Sequence, residues 1–217
     1  MTESVGIVCQ SPMILDSYTT MVLSYKPLQN TTTGFLGFQS TGPDAGLGRH
    51  IISMLKNLGS RAFNPMLLPA LSYSIWIDAL NDEHGDIAFT LRSVEDQTGL
   101  MEDYLQQKRI AEDVVNFDSV HRALIVQHAY LTNGISDFVV SFGPAIAEAL
   151  GKVDSFCAAI PNCRYDGGEV TAFVEHMQVR ASTEMQHRQR MLDRISMYLQ
   201  VVSAPLARNS RCGNGWS

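Results

Sequence analysis

A four-three hydrophobic rhythm, recurring in three separated stretches, limits what this chain can fold into more than any other feature. Ile87, Leu91, Val94, Thr98, Met101 and Leu105 follow one another at steps of four and three, the spacing that places side chains on one stripe of an α-helix. Val120, Leu124, Gln127, Leu131, Gly134 and Phe138 repeat it, as do Val174, Met177, Ala181, Met185, Arg188, Leu192, Ile195, Leu199 and Val202. Each seam is interrupted by a polar residue, Thr98, Gln127 or Arg188. Three imperfect seams in one chain of 217 residues predict an intramolecular antiparallel bundle rather than a parallel oligomeric coil.

Charge agrees with that packing. Between Asp82 and Asp118 ten acids stand against Arg92, Lys108 and Arg109, a net of −7. From His176 onward six arginines oppose only Glu184 and Asp193, a net of +4. Helices of opposite sign attract, although an exposed ion pair contributes only about 0–1 kcal/mol, so the acidic and basic helices are expected to be neighbours.

Ahead of the bundle the period changes. Ser17 to Tyr25 is rich in β-branched and aromatic residues and ends at Lys26-Pro27. Thr31 to Phe38 follows after Leu28-Gln29-Asn30, which predicts an antiparallel hairpin whose second strand is weakened by Gly34 and Gly37. Arg49 to Leu58 reads as a helix, and Asn64-Pro65 opens the next one, with Asn64 as cap and Pro65 in the first turn, where its missing N–H costs nothing. Lys152 to Gly168 reads as a long loop, and the rhythm dissolves after Val202. The fold expected is therefore α+β and mainly α: a short N-terminal antiparallel hairpin or sheet within a small α/β region, 1–60, then an antiparallel bundle of long helices over 61–202, interrupted by a loop at about 151–168, and an irregular tail over 203–217.

Several classes of function are disfavoured. A net charge of −6 repels phosphate backbones, so no nucleic-acid partner is expected. The most apolar stretch, Met66 to Leu80, is shorter than the roughly 20 residues that cross hydrocarbon and contains Pro69 and Asp78, so no direct membrane span is expected. The opening segment lacks the basic start of a leader, and Cys9, Cys157, Cys163 and Cys212 form no CxxC pair; both point to a reduced, cytoplasmic protein. The glycine-rich turn before Arg49 lacks the spacing of a phosphate loop.

Candidate chemistry is sparse. Glu95-Asp96 and Glu102-Asp103 lie a heptad apart, stacking two acidic pairs on one side of a helix. Hard cations such as Mg²⁺ take carboxylates of this kind, which makes Glu95, Asp96, Glu102 and Asp103 the metal candidates and Mg²⁺ the only cofactor suggested. His121 and His128 share a helical face but lack a third ligand; His176 and His187 are assigned to a solvated face. No nucleophile stands in a catalytic motif. An enzymatic alternative, a small helical enzyme or accessory protein of a metabolic pathway, requires a pocket between helices lined by His121, His128 or Glu175.

Three stretches, Val22 to Leu36, Phe63 to Leu71 and Arg188 to Val202, together resemble the CorA-like magnesium-transporter homologues of filamentous fungi in order and approximate spacing. The resemblance implies a cytoplasmic α/β and long-helix portion. In that family two transmembrane helices and a Gly-Met-Asn pore motif come after it, and neither follows Val202 here. A chain of this kind is expected to be a non-enzymatic regulatory or assembly domain that does not itself conduct ions, with protein partners or a homo-oligomer as its context.

Overall fold

The structure, a computed structural model, describes residues 4–10, 17–40, 52–57, 64–98, 116–132 and 135–212. Three strands come first: β1 (Val5–Gln10), β2 (Ser17–Lys26) and β3 (Thr31–Ser40). A short helical stretch, α1, covers 52–57, and four long helices follow: α2 (Leu67–Thr98), α3 (Phe117–Thr132), α4 (Ile135–Ala158) and α5 (Gly168–Cys212). The chain is α+β and mainly α, as the sequence predicts.

The strands form one antiparallel sheet in the order β1-β2-β3. Alternation along β2 buries Met21, Leu23 and Tyr25 on one face. On the other, Val8, Val22 and Phe35 are exposed, with Val8 paired to Val22 and Val22 to Phe35, a bare apolar row across the sheet. The β2–β3 connection is a 3-10 turn, Pro27–Gln29, closed by Asn30 in the left-handed region at φ 45°. Asn is among the few residues that tolerate that backbone, and here its Oδ1 accepts the Tyr25 hydroxyl at 2.9 Å. Gly34 does more than weaken β3: a Cβ there would lie 2.4 Å from the Val22 carbonyl oxygen, so the close approach of β2 and β3 demands glycine.

The chain divides into two compact units, and both cuts fall inside helices. The first unit comprises Met1–Asp78 and Ile135–Ser182, the second Ala79–Gly134 and Thr183–Ser217. The expected boundary near residue 60 is thus replaced by a partition in which α2 and α5 each contribute to both units.

In the first unit Asn64 caps α2 as expected, its Oδ1 accepting the Met66 N–H at 2.9 Å. Tyr73 and Trp76 of α2 meet Phe142 and Phe138 of α4 edge to face, at centroid distances of 6.0 and 5.8 Å, a geometry that favours aromatic pairs. The crossed pairing of residue numbers shows that α2 and α4 are antiparallel. Gly143 lies against the Tyr73 hydroxyl, where a Cβ would come within 2.4 Å.

The second unit is built on the predicted seams. Ile87, Leu91 and Val94 of α2, Val120, Leu124 and Leu131 of α3, and Met191, Ile195, Tyr198 and Val202 of α5 form one buried cluster. Here α2 and α5 run in the same direction, since His84 meets Glu184 and Glu95 meets Arg194. Met101 and Leu105 lie outside the described residues, as does the glycine-rich turn before Arg49.

Four expectations are corrected. First, the stripe counted from Ile87 extends further back: α2 is one helix of 32 residues, and the buried positions continue backward from Ile87 through His84, Leu80, Ile77 and Tyr73 at steps of three and four. Second, the Val120–Phe138 seam is split: α3 ends at Thr132 and Phe138 belongs to α4. Third, the loop is shorter than 151–168, because Lys152–Ala158 is the end of α4 and buries Val153 and Cys157 in step with Ile146 and Leu150. Fourth, the 203–217 tail is not wholly irregular. The backbone of α5 stays helical to Cys212, where Ala204, Leu206, Ala207 and Arg208 supply helix formers around Pro205.

Candidate functional site

Within the second unit, two helical faces enclose a cleft of about 660 Å³. One wall is α2, where Asn81, His84, Gly85 and Ala88 recur at helical spacing with Asp82 and Asp86 beside them. The other is α5, where His187, Arg190, Met191 and Arg194 share one stripe. The acids stand on α2 and the guanidinium groups on α5, so the charge difference read from the sequence is reproduced across the cleft.

His84 is the buried titratable group of this site. Its side chain is 4% exposed, and Nδ1 lies 2.9 Å from Oε2 of Glu184, itself largely buried. Burial holds the imidazole below its ordinary value of 6.5, against the opposing hydrogen bond and charge of Glu184; His187 and Arg188 act in the same direction as burial. A neutral ring that donates Nδ1–H to the Glu184 carboxylate has its lone pair on Nε2. That nitrogen is buried and has no hydrogen-bond partner. An imidazole oriented by a carboxylate, with its other nitrogen unpaired, is equipped to accept a proton or a hydrogen bond.

Further along the same helix pair, Arg194 and the Tyr198 hydroxyl both donate to Oε1 of Glu95. Burial and the Glu95 carboxylate raise the Tyr198 hydroxyl above its usual range. Arg188 donates from Nε to the Leu131 carbonyl at 2.6 Å, tying α5 to the last turn of α3.

Two of the four metal candidates, Glu95 and Asp96, lie within the described residues. Glu95 is occupied by Arg194 and Tyr198, and Asp96 is on the exposed side of α2. Glu102 and Asp103 lie outside the described residues. Among the described residues, no group of three His, Cys, Asp or Glu side chains is placed to hold a metal ion. His121, His128 and Glu175 do not line the cleft, whereas His187 does, at its rim.

The sequence reading passed over His84. Its signal was positional: extended back by one heptad, the α2 seam runs Leu80, His84, Ile87, Leu91, and a histidine at a core position of an otherwise apolar stripe needs a partner. The seam was counted from Ile87, which left it out.

No family model matches the chain, and comparison with characterised proteins and with solved structures returns no match.

Proposed function

We propose that this chain is a non-enzymatic regulatory or assembly module, similar to the cytoplasmic portion of a CorA-like divalent-cation transporter. The observation that carries this reading is the α2–α5 pairing of the second unit: a continuous apolar seam, flanked by the His84–Glu184 and Glu95–Arg194 contacts, behind an N-terminal antiparallel sheet. That order of elements is what the resemblance implies. Among the described residues no helix is long and apolar enough to cross a membrane, which agrees with a module acting beside a pore rather than forming one, on the cytoplasmic face.

Assembly is the stronger half of the proposal, because Glu95 already accepts from Arg194 and Tyr198 of α5, a pairing that competes with Mg²⁺. Two measurements test it together. Light scattering coupled to size exclusion should give a mass above that of the 24.0 kDa monomer, and calorimetry with MgCl₂ should show any sensing role through Glu102 and Asp103. A flat titration removes the sensing half, and a strict monomer removes the assembly half.

A further inference from the structure

We propose that the cleft of the second unit binds a small zwitterion, an ammonium group joined by a few bonds to a carboxylate or phosphate, with His84 Nε2 as the acceptor that recognises the amine. The inference is independent of the transporter-module reading. It starts from a side chain in the cleft that the protein itself leaves unsatisfied. His84 is 96% buried, its Nδ1 is committed to Glu184, and Nε2 is without a partner. A buried polar atom left unpaired costs roughly 1–3 kcal/mol, and a ligand N–H directed at Nε2 recovers it.

The walls define the remainder of the ligand. On the α2 side the cleft is lined by Asp82 and Asp86 as well as His84, giving that side acceptors and negative charge suited to an ammonium group. On the α5 side Arg190 presents donors and positive charge suited to an anion, and Arg194, although it donates to Glu95, keeps a buried Nε without a partner; Arg guanidinium binds carboxylate and phosphate in a matched planar geometry. A simple anion would meet the two aspartates, and a simple amine would meet the two arginines. A molecule carrying both charges meets neither conflict. Packed helices lie about 8–10 Å apart axis to axis, so the two charges of a fitting ligand are separated by several bonds rather than one. Burial, which favours the neutral imidazole, keeps Nε2 an acceptor at neutral pH.

The test uses the full chain, with the ring nitrogens of its histidines observed by ¹⁵N magnetic resonance and affinities measured by calorimetry. The probes are γ-aminobutyrate and phosphoethanolamine, with butyrate and butylamine as the two half-ligands. A zwitterion is expected to shift the Nε2 resonance of His84 saturably and to bind at least about tenfold more tightly than either half-ligand. Which zwitterion binds more tightly separates carboxylate from phosphate. Arg190→Ser, at an exposed position that should leave folding intact, is expected to reduce zwitterion affinity to that of butylamine. The proposal is overturned if neither zwitterion moves the His84 resonance at about 50 mM, or if Arg190→Ser binds both as the unaltered chain does.

Discussion

At the scale of single residues, His84 makes the stability of the protein depend on pH with a definite sign. Its imidazole is held below 6.5 in the fold, so as the pH falls through that value the unfolded chain takes up a proton before the native state does. Stability therefore declines as the solution is acidified below about 6.5 and is recovered as the pH rises. Glu83, whose carboxyl burial raises above 4.5 against the pull of Arg188, acts in the opposite direction. Urea midpoints of the protein and of His84→Gln, measured across this range, isolate the histidine: the variant should have the shallower acid slope, and equal slopes would refute the assignment. Gly143 gives a second prediction. Its missing Cβ makes room for the Tyr73 hydroxyl, so Gly143→Ala should lower stability by about 1–3 kcal/mol, read from thermal melts. A third concerns Cys157, whose thiol is pushed up to about 12 by burial, with Cys163 and Asp154 adding to it. Thiolate is the reactive form, so iodoacetamide at mildly alkaline pH should leave Cys157 unmodified in the folded protein, as mass mapping would show.

At the scale of elements, the decisive object is α2 and its companion stripe on α5. Leu91 is fully buried in that cluster, and Leu91→Ala should cost about 2–5 kcal/mol. Tyr198→Phe keeps the ring and removes only the hydroxyl that donates to Glu95. It should cost about 1–2 kcal/mol, measured by the same melts, and no loss would mean that Arg194 alone satisfies the carboxylate. Much of this was legible beforehand. Ile87, Leu91, Val94, Val120, Leu124, Leu131, Ile195 and Val202 are buried where the rhythm places them, because a long amphipathic stripe has few ways to hide from water. What escaped were the joints. The helix opened at Asn64-Pro65 and the seam counted from Ile87 belong to one element, and α2 runs straight through Asp82, Glu83 and Asp86. Lys152–Ala158 was read as loop from the proline and glycines that follow it, although Val153 and Cys157 continued the buried stripe of α4. The candidate site was the least legible of all: Glu95 was singled out for its charge, and the sequence carries no mark that Arg194 and Tyr198 would claim it from another helix.

At the scale of the whole molecule, the chain holds two compact units that share the same long helices, one built around a sheet and an aromatic cluster, the other around the interlocked seams. The second is the one that holds the candidate site. Its His84–Glu184 contact is a costly feature in an apolar setting, and a buried polar pair is often no more stabilising than hydrocarbon of the same volume. Replacing both residues with leucine is accordingly expected to leave the melting temperature equal or higher. Single conformations should suffer instead, seen as doubled or broadened amide resonances for α2. A four-three stripe looks alike at every heptad, so aliphatic side chains alone would let one rod slide along the other by a whole repeat at little expense. With the imidazole in place, such a slip would set Ile77 or Leu91 against Glu184 and strand a carboxylate among methyl groups. The lone ring acts as an indexing pin, and the helix pair has one alignment in which it fits.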